Sequence, residues 1–377
     1  MSAEPPSDPV KQPSRTSRLY GCLYGGAVGD ALGAPVEFMS LAEIRARFGP
    51  SGLTEYVEQP PAFTDDTQMT LWTAEGVLRA HNRWLERGIV SVSAVVANAY
   101  QRWYYTQTHD GFDLAASPSD SSDLSGWLIR EPGIYGRRSP GSSCLKALGQ
   151  GSPVTDSRGC GGVMRIAPLA VASVGEPFQL ACDVAAITHG HPSGYLSAGA
   201  LALILARLMD EGSLDAGIDD ALLALQGASG GEEVISAIKR ARELASKADA
   251  SAEAVEILGR GWVAEEALAI SLFCALCATR EEGPECFRQG VVLAANHGGD
   301  SDSTAAITGT LLGTYLGMEA IPGELIFPVQ GRELIERICE DLIRHFIAPP
   351  PAPKCPVWWG PMTSYPPPHD LDRYPGI

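Results

Sequence analysis

The chain has 377 residues, 45% of them hydrophobic, with 41 glycines and a formal net charge of −17. That is enough apolar material for one large domain or two ordinary ones, and the acidic balance excludes a duplex nucleic-acid binder, which needs a basic face. No apolar run reaches the length of a membrane span and residues 1–17 lack the apolar core of a signal peptide, so no membrane partner is expected. Nine scattered cysteines, odd in number, read as reduced thiols of a cytoplasmic protein.

Residues 1–17, with Pro5, Pro6, Pro9 and Pro13 among polar neighbours, read as a disordered segment. Order is expected from about Arg18. Gly21, Gly25, Gly29 and Gly33 then recur every four residues on one helix face. Each costs about 1 kcal/mol against alanine in a helix, so the row implies a second helix packed very close, or a ligand touching the backbone. Neither GxGxxG after a strand nor GxxxxGK[ST] occurs, which rejects a phosphate loop. Asp30 lies in this segment and Glu37 follows Pro35.

Phe63-Thr-Asp-Asp-Thr-Gln-Met69 leads into a helical pattern from Asp66 to about His81, and residues 90–104 make another. The adjacent Asp65 and Asp66 repel unless something positive sits beside them. Residues 106–142, rich in Ser, Asp, Gly and Pro, read as a long loop, the kind more often functional or mobile than scaffold. Ser157-Arg-Gly-Cys-Gly-Gly-Val-Met-Arg165 is a flexible turn feeding a helix near Ile166. It reads as an anion site on glycine backbones or, favoured on the residues alone, as a plain tight turn. His189 and His191 precede a small-residue helix over about Ser193–Leu208; without a Cys or carboxylate companion such a pair is more often structural. Cys274 and Cys277 form a CxxC inside a helical run with no second pair, the pattern of a buried helix face.

Asn296-His-Gly-Gly-Asp-Ser-Asp-Ser-Thr304 repeats the acidic chemistry. Alone it reads equally as an over-supplied N-cap or as a metal site. Set opposite Asp65 and Asp66, Asp300 and Asp302 complete a four-carboxylate, hydroxyl-edged cage, suited to Mg²⁺ or Mn²⁺ rather than zinc because no Cys or His joins it. Ala305, Gly309, Gly313 and Gly317 then form a second small-residue row mirroring the first, which predicts that these two helices pack together at the centre. Helical patterns throughout, without strand alternation, predict an all-α fold. Residues 349–377 hold ten of the 28 prolines, with Trp358, Trp359, Tyr365 and Tyr374, and form a tail of which at least Val357–Tyr365 is expected to pack on something.

Gly26–Glu37, Phe63–Thr67, Ser157–Pro168, Thr188–Pro192 and Gly298–Gly309 resemble, in order, the motif blocks of the ADP-ribosylglycohydrolases. The resemblance spans about residues 18–348 and implies a compact orthogonal helical bundle with a binuclear Mg²⁺ or Mn²⁺ cleft. Carried over by position, Thr64, Asp65, Asp66, Asp300, Asp302 and Ser303 become metal ligands. Glu37, Asp300 and Asp66 become the candidate catalytic carboxylates. Ser157, Gly159, Cys160, Gly161, Gly162 and Met164, with His189, become the substrate-binding set. Cys160 departs from the family, which often has Asn there, and removes a side-chain amide from that loop. The activity implied is metal-dependent release of ADP-ribose from a modified protein, arginine-linked first. The alternatives are serine-, nucleic-acid- or small-molecule-linked ADP-ribose, or a non-catalytic immunity or binding protein against an ADP-ribosylating toxin.

Overall fold

The computed structural model describes residues 12–112, 124–172, 176–280, 283, 285–348 and 370–376. Among them lie sixteen α-helices and, of extended structure, only the isolated bridges Val154–His189 and Gly159–Val263. The fold is all-α, as the periodicity predicts. In order the helices are α1 Arg15–Gly33, α2 Leu41–Phe48, α3 Asp65–Arg87, α4 Val92–Thr108, α5 Ser142–Gln150, α6 Ala167–Val171, α7 Pro177–Ala185 and α8 Pro192–Met209. They continue as α9 Leu214–Gln226, α10 Glu232–Lys247, α11 Ala252–Leu258, α12 Ala264–Ala278, α13 Cys286–Ala295, α14 Ser301–Leu316, α15 Gly323–Ile326 and α16 Arg332–Leu342.

The two small-residue rows meet as antiparallel neighbours. A Cβ placed on Gly21 would lie 2.1 Å from the carbonyl oxygen of Gly313, one on Gly25 2.2 Å from that of Gly309, one on Gly29 2.0 Å from that of Ala305, and one on Gly33 2.2 Å from that of Ser301. Nothing larger than hydrogen fits along the α1 side of this seam, because real Cβ atoms keep well beyond such distances from backbone oxygen. The seam has a functional consequence. It sets the end of α1, and with it Glu37, against the start of α14 and its aspartates.

Around this pair the core is continuous. α12 and α8 are buried on nearly all sides, and Cys274 and Cys277 face that interior. Among the described residues only α8 is long and apolar enough to cross a membrane by length and composition, contrary to the expectation that no run reaches that length. Its buried residues pack into the protein, so its apolar character belongs to the core.

Several boundaries differ from the sequence reading: α3 runs on to Arg87 rather than His81, and α4 to Thr108, into the stretch read as loop. α1 starts at Arg15, capped by the Ser14 hydroxyl, so residues 15–17 are helical rather than part of a disordered segment; residues 1–11 lie outside the described residues. Residues 370–376 return to the core. Tyr374 is fully buried, its hydroxyl donates to Asp341 Oδ2 at 2.7 Å, and its carbonyl accepts from Asn82 Nδ2 at 2.9 Å. The expected packing of Val357–Tyr365 falls outside the described residues.

Candidate active site

The seam delivers three carboxylates to one place. Beyond α1, a short turn over Ala34–Val36 carries Glu37, and oxygens of Glu37, Asp300 and Asp302 all lie within 4.8 Å of one another. Asp65, Asp66 and Ser303 line the same cleft, a cavity of about 360 Å³. Its far wall comprises Ser139–Cys144 and Gly159–Gly161, with Met164 and His189. The end of the long polar loop thus becomes a wall of the cleft.

Asp65 and Asp66 open α3, which is capped by the Thr64 hydroxyl accepting from Asp66 N at 3.3 Å. The start of the helix is held from outside. Asp30 of α1, fully buried, accepts from Thr64 N at 2.8 Å and from Thr67 N and Oγ1 at 3.0 and 2.5 Å. That clamp relieves Asp65 and Asp66 of capping duty. Asp65 Oδ2 accepts instead from Gly141 N at 3.1 Å, which ties α3 to the polar loop. Asp300 stands at the N-cap position of α14 yet makes no capping bond. Its Oδ2 accepts the Cys160 thiol at 2.7 Å.

Electrostatically the cluster is unbalanced. Burial, and then the field of Asp302, push Asp30 up to about 7 and Glu37 up to about 9. Asp66 and Asp300 are driven upward by the same two causes in the same order, and Asp65 by burial first. Asp302 is itself raised by burial. Two buried oxygens, Asp66 Oδ1 and Asp302 Oδ1, meet no hydrogen-bond donor among the described residues. Buried, acceptor-only groups without donors are costly unless a cation satisfies them. Hard oxygens crowded in this way fit an oxygen-seeking divalent cation. Soft atoms stand at the edge: the Cys160 sulfur, bonded to Asp300, and the Met164 sulfur, 4.0 Å from Ser303 Oγ, with Cys144 in the same lining.

The opposite wall is built around His189. Its Nδ1 lies 2.8 Å from Thr188 Oγ1, which accepts from the buried Arg165 guanidinium at 2.6 Å. Burial and the Arg165 charge lower His189 to about 3, so the imidazole is neutral. With Arg165 donating to Thr188, the Thr188 hydroxyl hydrogen is available to His189 Nδ1. That assignment puts the ring proton on Nε2, against the glycine loop. The loop must stay small there: a Cβ on Gly161 would lie 3.1 Å from His189 Cε1.

Of the residues singled out from sequence, Glu37, Asp65, Asp66, Asp300, Asp302, Ser303, Gly159, Cys160, Gly161, Met164 and His189 line the cleft. Three are not among its lining residues. Thr64 caps α3, Ser157 bonds Ser143 Oγ at 2.7 Å, and Gly162 packs against the Gly194 carbonyl. His191 is structural: its Nδ1 caps α8 by accepting from Ser193 N at 3.2 Å. Two residues had no role in the sequence reading. Asp30 was recognisable only as a carboxylate on a glycine-lined helix, and Arg165 only as a cation closing a loop motif.

The sequence pattern of the ADP-ribosylglycohydrolases matches residues 11–351. This chain belongs to that family. Across 370 residues it is 26% identical to the ADP-ribosylarginine hydrolase Tri1 of Pseudomonas putida, covering 91% of this chain and 85% of that one. It is 26% identical over 333 residues to the ADP-ribosyl-[dinitrogen reductase] glycohydrolase of Rhodospirillum rubrum, covering 82% and 89% of the two chains. A solved structure described as an ADP-ribosylglycohydrolase-related protein complex superposes with a TM-score of 0.57 at 26% identity, covering 89% of this chain and 99% of that chain. Membership of this family supports a glycosidic-bond hydrolase acting on ADP-ribosylated substrates.

Proposed function

We propose that this protein is a cytoplasmic, metal-dependent hydrolase that removes ADP-ribose from modified protein side chains, arginine-linked ones first. The observation that carries the reading is the pair of orphaned carboxylate oxygens on Asp66 and Asp302, at a cleft walled by a glycine loop and a neutral histidine. Thr64, Asp65, Asp66, Asp300, Asp302 and Ser303 would hold two Mg²⁺ or Mn²⁺ ions. Such ions, when bound, supply Lewis-acid polarisation and orientation of ribose hydroxyls.

The remaining work falls to this chain's own groups. The Gly159–Gly162 loop gives backbone room for the diphosphate, and His189 offers an uncharged N–H beside it. Cleavage at C1″ passes through an oxocarbenium-like state, and the surrounding carboxylates favour that developing positive charge. Glu37, raised to about 9 in the metal-free protein, is the carboxyl placed to hold and move a proton at the rim. Asp300 and Asp66 are the alternatives. The name of the Pseudomonas putida relative supports arginine as the linkage. The deciding experiment measures release of ADP-ribose from arginine-modified and serine-modified proteins, with and without EDTA. Release that EDTA leaves untouched removes the metal, and turnover of serine-linked substrate alone removes the arginine preference.

A further inference from the structure

A second cavity, of about 280 Å³, adjoins the catalytic cleft and shares two of its wall residues, Phe38 and Trp262. Their rings stack at 5.2 Å between centroids and 22° between planes. Both are exposed, Phe38 at 72% and Trp262 at 38%, in a protein that buries most other large apolar side chains. Phe38 holds this position with φ at +69°, a left-handed conformation that a bulky residue rarely adopts. The platform is built from adjoining pieces of the site: Phe38 directly follows Glu37, and Trp262 lies two residues from Arg260, whose carbonyl accepts from Asp300 N at 2.8 Å.

The second cavity is also lined by Gly298 and Gly299, which immediately precede Asp300, so it adjoins the α14 end of the cleft. Its side-chain charges are Glu43, Glu256 and Arg260, two carboxylates to one guanidinium. Each carboxylate uses one oxygen locally. Glu43 Oε2 accepts from Ser40 N and Oγ at 2.8 and 2.6 Å, and Glu256 Oε1 accepts from Gly298 N at 3.1 Å. Glu43 Oε1 and Glu256 Oε2 carry no hydrogen bond among the described residues.

We propose that this cavity is the leaving-group subsite and that its occupant is the guanidinium side chain of the target arginine, stacked on the Phe38–Trp262 platform and paired with Glu43 and Glu256. The proposal rests on the arginine-linked reading above. A planar, weakly hydrated cation is the side chain that both stacks on aromatic faces and pairs with carboxylates. A serine hydroxyl would leave the platform and both acids without a partner.

The test uses the full-length protein with one peptide ADP-ribosylated on arginine, the same peptide ADP-ribosylated on serine, and free ADP-ribose. Glu43→Gln/Glu256→Gln keeps the acceptor contacts to Ser40 and Gly298, so the fold is preserved while the charge goes. The expected result is about a tenfold loss of kcat/KM on the arginine-linked peptide, mostly in KM, with the ADP-ribose Kd within about twofold of wild type. Trp262→Ala is expected to act in the same direction. An arginine-linked kcat/KM unchanged in the double variant overturns the subsite and leaves the hydrolase reading standing. An equal loss of ADP-ribose affinity also overturns it. A wild-type protein that turns over only the serine-linked peptide, or neither, overturns the arginine reading and the subsite together.

Discussion

Two acidic helix starts face each other across the cleft, and they are held in different ways. At the start of α3, capping is delegated: Thr64 and the remote Asp30 satisfy the first backbone N–H groups. At the start of α14, Asp300 occupies the cap position but makes no capping bond, and the helix is located by the glycine seam with α1. In both cases a carboxylate at the helix start gives an oxygen to a distant element: Asp65 Oδ2 accepts from Gly141 N and Asp300 Oδ2 from the Cys160 thiol. That difference between residue type and residue duty separates a cation site from an ordinary helix terminus, because a carboxylate engaged with its own backbone has less of its charge to offer.

The comparison can be broken first at Glu37, whose carboxyl lies within 4.8 Å of those of Asp300 and Asp302 at the start of α14. Glu37→Gln is expected to lower kcat by roughly 10²–10⁴-fold, the range of a general acid or base, while ADP-ribose affinity stays close to wild type. Single-turnover kinetics paired with calorimetry check it; normal turnover, or joint loss of binding and rate, would take Glu37 out of proton transfer. Next is Asp302, whose field raises Asp30, Glu37, Asp65, Asp66 and Asp300 alike. Asp302→Ala should cost about 10²–10³-fold or more in kcat at limiting Mg²⁺. Activity within about tenfold of wild type would remove it from the metal shell.

A cation should also stabilise the fold, by about 2.7 kcal/mol at a hundredfold excess over Kd. Here the sign with pH is specific. Carboxyls raised in the folded state favour the protonated form, so the metal-free protein loses their stabilisation as pH rises through about 7 for Asp30 and about 9 for Glu37. The rise in Tm on adding millimolar Mg²⁺ should therefore be larger at pH 9 than at pH 6. A rise that is equal at both, or absent, counts against the cluster as a cation site. The smallest effect belongs to Asp30, which positions α3 without lining the cleft. Asp30→Asn should weaken metal affinity by about 10–100-fold, as loss of an outer-shell partner does, with substrate affinity at saturating metal retained. Calorimetric titration of Mg²⁺ into the variant gives the answer, and an unchanged Kd would make Asp30 purely a helix anchor.

What the sequence determined by itself was whatever one local stretch encodes. Glycine at every fourth position forbids a side chain on one helix face, so the α1–α14 seam could be read from Gly21–Gly33 and Ala305–Gly317 before any coordinates. Paired carboxylates with hydroxyl neighbours likewise announced a crowded negative site at Asp65, Asp66, Asp300 and Asp302, and helical periodicity announced the all-α fold. Only the tertiary structure decided which groups meet across long separations. Cys160 and Asp300, 140 residues apart, share a hydrogen bond. Asp30 clamps a helix 34 residues onward, and Tyr374 closes the core from a segment that composition reads as a loose tail. The left-handed backbone of Phe38, which holds its ring beside Trp262, is equally invisible in sequence. The physical reason is common to all four. A residue's partners depend on how distant helices dock, and docking is a property of the assembled core that no local window of residue types contains.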